Sequence, residues 1–182
     1  MRRLAAVLIG GPPATGKSTL ALALAQRLEA AVLDLDVATG PLTRVVSELA
    51  GVHDLDDPVL AGLTRDARYG TLLGLAEANL MAGRPVVLVA PFSTERAVPS
   101  AWAATTQRLP GKATMVWLHL PPGELVRRLT ERALARDENK IRDPVAYLTG
   151  VDLEPPAIPH LALDASQPTA ALVRTVLDHL SS

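Results

Sequence analysis

Gly11-Pro12-Pro13-Ala14-Thr15-Gly16-Lys17-Ser18, followed by Thr19, is the stretch that decides the fold. It fits the spacing Gly-x-x-x-x-Gly-Lys-Ser/Thr at every fixed position. An apolar run, Leu4–Gly10, leads in, and Leu20, Leu24 and Leu28 repeat on one helix face leading out. The residue types are those an anion-binding loop needs. Glycines let the backbone turn its N–H groups inward around an anion, and the start of the following helix adds a favourable dipole. Lys17 is placed to reach the outer phosphates of a nucleoside triphosphate and the Ser18 hydroxyl to ligate Mg²⁺. The expected phosphate-binding set is Gly11, Ala14, Thr15, Gly16, Lys17, Ser18 and Thr19. At average residue usage a chain of this length matches the pattern by chance at well under ~2%.

Outward from the loop, short apolar runs alternate with longer amphipathic ones, the pattern of parallel strands covered by helices. Five strands are predicted: Leu4–Gly10, Ala31–Leu35, Val86–Ala90, Thr114–His119 and Leu161–Leu163. They are continuous apolar runs, as expected where both faces of a sheet are covered. Asp57-Pro58 and Asp143-Pro144 read as helix starts, and Gly51 and Gly83 as helix ends. The 182 residues contain no internal repeat or linker, so one α/β domain spanning 1–182 is expected.

Composition removes several classes of function. The formal net charge is −1, without the basic excess of a protein that grips nucleic-acid phosphates. Two Trp, two Tyr and one Phe are too few for base-stacking platforms. The absence of cysteine rules out disulfides, thiolate-held metals and a thiol nucleophile, and suits a reducing cytoplasm. No apolar run approaches the ~20 residues of a membrane span. Met1-Arg2-Arg3 and the run behind it read as the start of a buried strand, because the run stops at a Gly/Pro loop. The four histidines show no metal-binding spacing. Asn139-Lys140-Ile141-Arg142 misses the guanine-specifying pattern at its last position.

Two further constellations carry chemistry. Leu33-Asp34-Leu35-Asp36 puts two carboxylates at the carboxyl end of the second strand, where open α/β sheets bind ligands. One suits the Mg²⁺ shell and the other a base for an attacking hydroxyl; the bland alternative is a cap by Asp36 before a Val37–Pro41 turn. Arg128, Arg132 and Arg136 repeat at i, i+4, i+8, with Arg127 beside them. That face either closes over a triphosphate or is simply solvated through pairs such as Glu124–Arg128. The third strand ends without the carboxylate that a motor ATPase or AAA+ machine would carry there. Its following loop, Pro91–Arg96, offers small polar groups and Arg96 instead.

Strand–GPPATGKST–helix, then DLD, then RRLTERALARD, resembles the small P-loop kinases of the nucleoside-monophosphate-kinase-like group, among them shikimate kinase, gluconate kinase and chloramphenicol phosphotransferase. The resemblance covers nearly the whole chain. It implies a P-loop NTPase fold with a five-stranded parallel sheet, helices on both faces, a substrate cap at about 37–82 and an Arg-rich lid at about 128–142. It implies ATP and Mg²⁺ as cofactors: Lys17 and Ser18 on phosphates and metal, Asp34 in the metal shell, and Asp36 toward the substrate. Arg128, Arg132 and Arg136 fall in the lid, and Asp164, Gln167 and Pro168 in the loop that lines adenine. For the acceptor, the expected contacts are Asp36, Arg68, Tyr69 and Arg96. The diagnostic substrate residues of shikimate and gluconate kinases are not recognisable.

The expected activity is transfer of the γ-phosphoryl group of ATP to a hydroxyl of a small polar molecule. Lys17, Asp34, Asp36, Arg132 and Arg136 are the candidate catalytic residues. The alternatives are a nucleoside or nucleotide kinase and a non-catalytic ATP-binding module. A cytoplasmic monomer or weak homodimer is expected, acting on neither nucleic acid nor membrane.

Overall fold

The computed structural model describes residues 5–52, 57–132 and 153–182. Strands β1 (Ala5–Gly10), β2 (Ala31–Asp34), β3 (Val86–Val89), β4 (Lys112–His119) and β5 (His160–Asp164) form one parallel sheet in the order β2-β3-β1-β4-β5. The predicted runs stand at these five places with shifted ends. Leu35 opens a helix instead of closing β2, and β4 and β5 reach further than their apolar cores.

The pleat divides the apolar runs between two cores. Val7 and Ile9 of β1 join Val87, Val89, Val116 and Leu118 on one face. There they meet Leu20 and Leu24 of α1 (Lys17–Leu28), Leu125 and Leu129 of α6 (Pro122–Arg132), and Leu172 and Val176 of α7 (Thr169–Ser181). Ala6 and Leu8 point the other way, against Leu72, Leu73, Ala76 and Leu80 of α3 (Pro58–Met81). Alternation along a strand thus appears as two cores, because helices cover both faces.

Helix α2 (Leu35–Leu49) stands where the bland alternative had a turn at Val37–Pro41, and it runs toward the helix end expected at Gly51. Asp34, not Asp36, caps it: Asp34 Oδ1 accepts from the backbone N–H of Asp36 at 3.0 Å and of Val37 at 3.4 Å. Pro41 lies inside the helix on its exposed side, so the carbonyl deprived of a partner can turn to water. Asp57 caps α3 as expected, accepting from Val59 N at 2.7 Å with Pro58 at the first helical position. Gly51 and Gly83 follow α2 and α3 at φ 67° and 77°. Short helices α4 (Ser93–Ala97) and α5 (Pro99–Gln107) complete the described elements. Asp143-Pro144 lies outside the described residues. Among the described residues no helix is long and apolar enough to cross a membrane.

Candidate active site

All strands are parallel, so their carboxyl ends share one edge. The chain leaves β1 toward β2 on one side and later crosses to β4 on the other. The crevice this opens is where such sheets bind ligands. The Gly11–Gly16 loop sits there. Gly11 has φ 148°, and a Cβ on it would stand 2.5 Å from the Leu118 carbonyl oxygen. Ala14 and Gly16 are left-handed at φ 62° and 85°. The buried Thr15 hydroxyl ties the loop by donating to the Pro12 carbonyl at 2.8 Å. Gly16 is the N-cap of α1 and brings no capping side chain, which suits a helix start meant for an external anion. Lys17 curls back over the loop, its Nζ donating to the carbonyls of Gly11 at 2.8 Å and Pro12 at 2.7 Å. Thr19 is exposed on the first turn.

The Asp pair is brought to this loop and its members are separated in surroundings. Ser18 Oγ donates to Asp34 Oδ2 at 2.9 Å. Asp36, one step into α2, accepts from Arg68 of α3 at 2.7 Å, and Arg68 Nε also donates to Thr39 Oγ1 at 3.0 Å. Arg68 is therefore fixed by two partners on α2.

Tyr69, beside Arg68, turns inward. Its ring is buried edge-on to Phe92 at 6.1 Å, and its hydroxyl accepts from the Phe92 N–H at 3.0 Å. Burial, and next the Glu95 charge, push that hydroxyl's pKa well above the ordinary tyrosine range, so it stays protonated. Arg65 lies over the ring at 4.5 Å and donates to both oxygens of buried Glu95, at 2.8 and 3.1 Å. This Arg65–Glu95–Tyr69–Phe92 cluster joins α3 to the loop after β3, where Phe92 is held left-handed at φ 49°. Sequence reasoning named Tyr69 as an acceptor contact and did not join it to Arg65, Glu95 and Phe92. The available signal was that Arg65, Arg68 and Tyr69 lie at i, i+3, i+4 and so share a helix face.

Arg96, expected at the acceptor, is buried. Its guanidinium stacks on Trp117 at 4.7 Å and donates to the Glu154 carbonyl at 2.8 Å. Across the sheet edge, Arg128 donates to Glu124 at 2.9 Å and to the Ala165 carbonyl at 3.1 Å, tying α6 to the 164–168 loop. Within that loop Asp164 accepts from Ser166 N at 2.9 Å, while Gln167 and Pro168 are exposed. The Ser166 backbone N–H, and then its side chain, hold the Asp164 carboxyl below its ordinary range. Arg127 pairs instead with Glu124 and Glu131 on the helix surface. Arg132 ends α6, and Arg136, with the remainder of the expected lid, lies outside the described residues.

A family model described as an AAA domain matches residues 7–146, which include the phosphate loop, both Asp and the whole stretch expected to form the lid. The chain belongs to that family. Membership holds although β3 ends in Val89 and is followed by Ala90, without a carboxylate. Solved structures sharing the fold include a gluconokinase from Sinorhizobium meliloti, at 20% identity and TM-score 0.62, covering 100% of this chain and 94% of that one. The APS kinase of Mycobacterium tuberculosis, solved with AMPPNP and APS, aligns at 19% identity and TM-score 0.66 over 100% of both chains. Shikimate kinase from Aquifex aeolicus aligns at 16% identity and TM-score 0.54, covering 97% and 96%. The fold of this AAA-domain protein is that of the small P-loop kinases. No curated protein matches the sequence.

Proposed function

We propose that this AAA-domain protein is an ATP- and Mg²⁺-dependent phosphotransferase. It would move the γ-phosphoryl group to a hydroxyl of a small polar molecule such as a sugar, a hydroxy acid or a hydroxylated antibiotic. The observation that carries the reading is the 2.9 Å contact between Ser18 and Asp34, with Asp36 beside it in the grip of Arg68. An ATP-binding loop alone does not call for a second, separately held carboxylate; a kinase needs one for the acceptor. That gluconate, shikimate and APS kinases share the fold supports a small-molecule acceptor.

The hydroxyl of Ser18 and the carboxylate of Asp34 are hard oxygen donors, a set that fits Mg²⁺. When bound, the metal neutralises charge on the phosphate oxygens. Lys17 exchanges the Gly11 and Pro12 carbonyls for phosphate oxygens. Asp36 takes the proton of the acceptor hydroxyl as its oxygen bonds to the γ-phosphorus and the bond to the β–γ bridging oxygen breaks, leaving ADP. Arg68 orients Asp36, and Arg132 and Arg136 of the lid are assigned to the charge on the transferring group. Arg128 and the 164–168 loop are assigned to the base. The enzyme is proposed to work in the cytoplasm on freely diffusing acceptors.

The test is ADP release from ATP·Mg²⁺ across sugars, polyols, hydroxy acids, nucleosides and hydroxylated antibiotics, with Asp36→Asn in parallel. Stimulation by one non-nucleoside class, abolished by Asp36→Asn with ATP binding intact, is the expected result. Saturation by nucleosides alone would make this a nucleoside kinase, and a flat background with tight ATP binding would overturn the assignment of catalysis.

A further inference from the structure

Helix α2 is amphipathic in the wrong sense for a helix of a lone domain. The side chains it buries are Leu35, Thr39, Thr43 and Ser47, and its large apolar ones face outward. Thr39 and Thr43 satisfy themselves by donating to the carbonyls of Leu35 and Thr39, so the buried polar row asks nothing of the core. On the outside, Leu42, Val45 and Leu49 fall at i, i+3, i+7, with Val46 adjoining. Leu42 is 72% exposed and Leu49 84%.

Helix α3 continues the surface. It runs antiparallel beside α2, since Arg68 reaches Asp36 and Thr39 while the two helices join at their other ends. Near its start it exposes Val59 at 63% and Leu63 at 64%, one turn apart. Leu42, Val45, Val46, Leu49, Val59 and Leu63 are between 37% and 84% exposed, a concentration of large apolar side chains of the kind that marks an interaction surface.

We propose that the outer face of α2 and α3 is a self-association surface, covered by the same face of a second copy of this chain. A two-fold contact sets residue i against j and j against i. Exposed Arg44 and Glu48 flank the α2 row one turn apart, so antiparallel α2 helices bring each Arg44 to Glu48 of the other copy. The pairing is self-complementary in charge as well as apolar in its middle. It rests on burial and charge alone and stands whatever the acceptor is.

Sedimentation equilibrium over a concentration series tests it, with wild type beside Leu42→Glu/Leu49→Glu. Dimeric wild type and monomeric variant are expected, the dissociation constant rising more than about tenfold. Far-ultraviolet circular dichroism should not change, because both positions face solvent in the single chain. Should that variant misfold, Arg44→Glu is expected to weaken the dimer and Arg44→Glu/Glu48→Arg to restore it. A monomeric wild type overturns the proposal, as does a dimer indifferent to all three variants. In a monomeric wild type, Leu49→Cys then assigns the face, the chain having no other thiol. Protection from alkylation would mark cover by the chain's own 133–152 segment, and protection only with added vesicles a lipid surface.

Discussion

Ser18 and Asp34 are joined by a 2.9 Å hydrogen bond that spans 16 residues, from the first turn of α1 to the last residue of β2. The other oxygen of the same carboxylate caps α2. One side chain thus sets the phosphate loop and the helix bearing Asp36 in register.

Separating those two tasks is a direct test. Asp34→Ala removes both and should cost about 1–2 kcal/mol of stability. Asp34→Asn keeps a capping oxygen and should cost less than about 0.5 kcal/mol. Both should raise the Mg²⁺ concentration required for half-maximal ADP release, Asn without the loss in urea stability.

Arg68 should behave as a positioning residue. Its Asp36 partner is largely exposed, so the pair contributes no more than about 1 kcal/mol to folding. Arg68→Ala should nevertheless lower kcat by about 100-fold with ATP affinity unchanged, since a misplaced base loses proton transfer. Arg68→Lys should recover only part of that rate, because one ammonium cannot hold Asp36 and Thr39 in the fork geometry. A kcat unchanged in Arg68→Ala would leave Arg68 a purely structural strut.

The loop glycines should differ sharply. Gly11→Ala forces a Cβ to within 2.5 Å of the Leu118 carbonyl at φ 148° and should destabilise by more than about 2 kcal/mol, with nucleotide binding lost. Gly16→Ala meets nothing within 4 Å and carries only the left-handed penalty of about 1 kcal/mol. Urea unfolding with and without ATP compares them.

Acid should release the α6 ion pairs. Hydrogen bonds from Arg127, and next from Arg128, hold the Glu124 carboxyl down from the ordinary 4.5 to about 2. A carboxylate whose pKa is lower folded than unfolded stabilises fully above the unfolded value and loses that contribution as pH falls through the folded one. The stability difference between wild type and Glu124→Gln should be constant above pH 4.5 and vanish toward pH 2. Solvent screening keeps its amplitude small.

The fold was legible because its signals are local. A glycine-spaced loop needs only its neighbours to define it, and apolar runs of strand length announce a doubly covered sheet without reference to one another. The start of helix α2 was not legible for the same reason, although Gly51 announced its end. Pro41 and the Thr39, Thr43 and Ser47 row resemble turn chemistry until α3 is packed alongside and the apolar row is seen to face out. The burial of Arg96 was not legible either. Its place after β3 suggested an exposed ligand contact, and only the return of the 153–158 segment and the stacking of Trp117 bury it.

From its sequence alone, this protein was determined to carry a phosphate loop between strand and helix, two carboxylates at a strand end and a parallel sheet. Each is a matter of residue type and spacing along the chain. Tertiary structure decided which Asp meets Ser18, that Arg68 holds the other, and that Tyr69 and Arg96 turn inward. Those are distances between residues remote in sequence. They follow from how the helices seat on the sheet, a packing outcome that no single segment encodes.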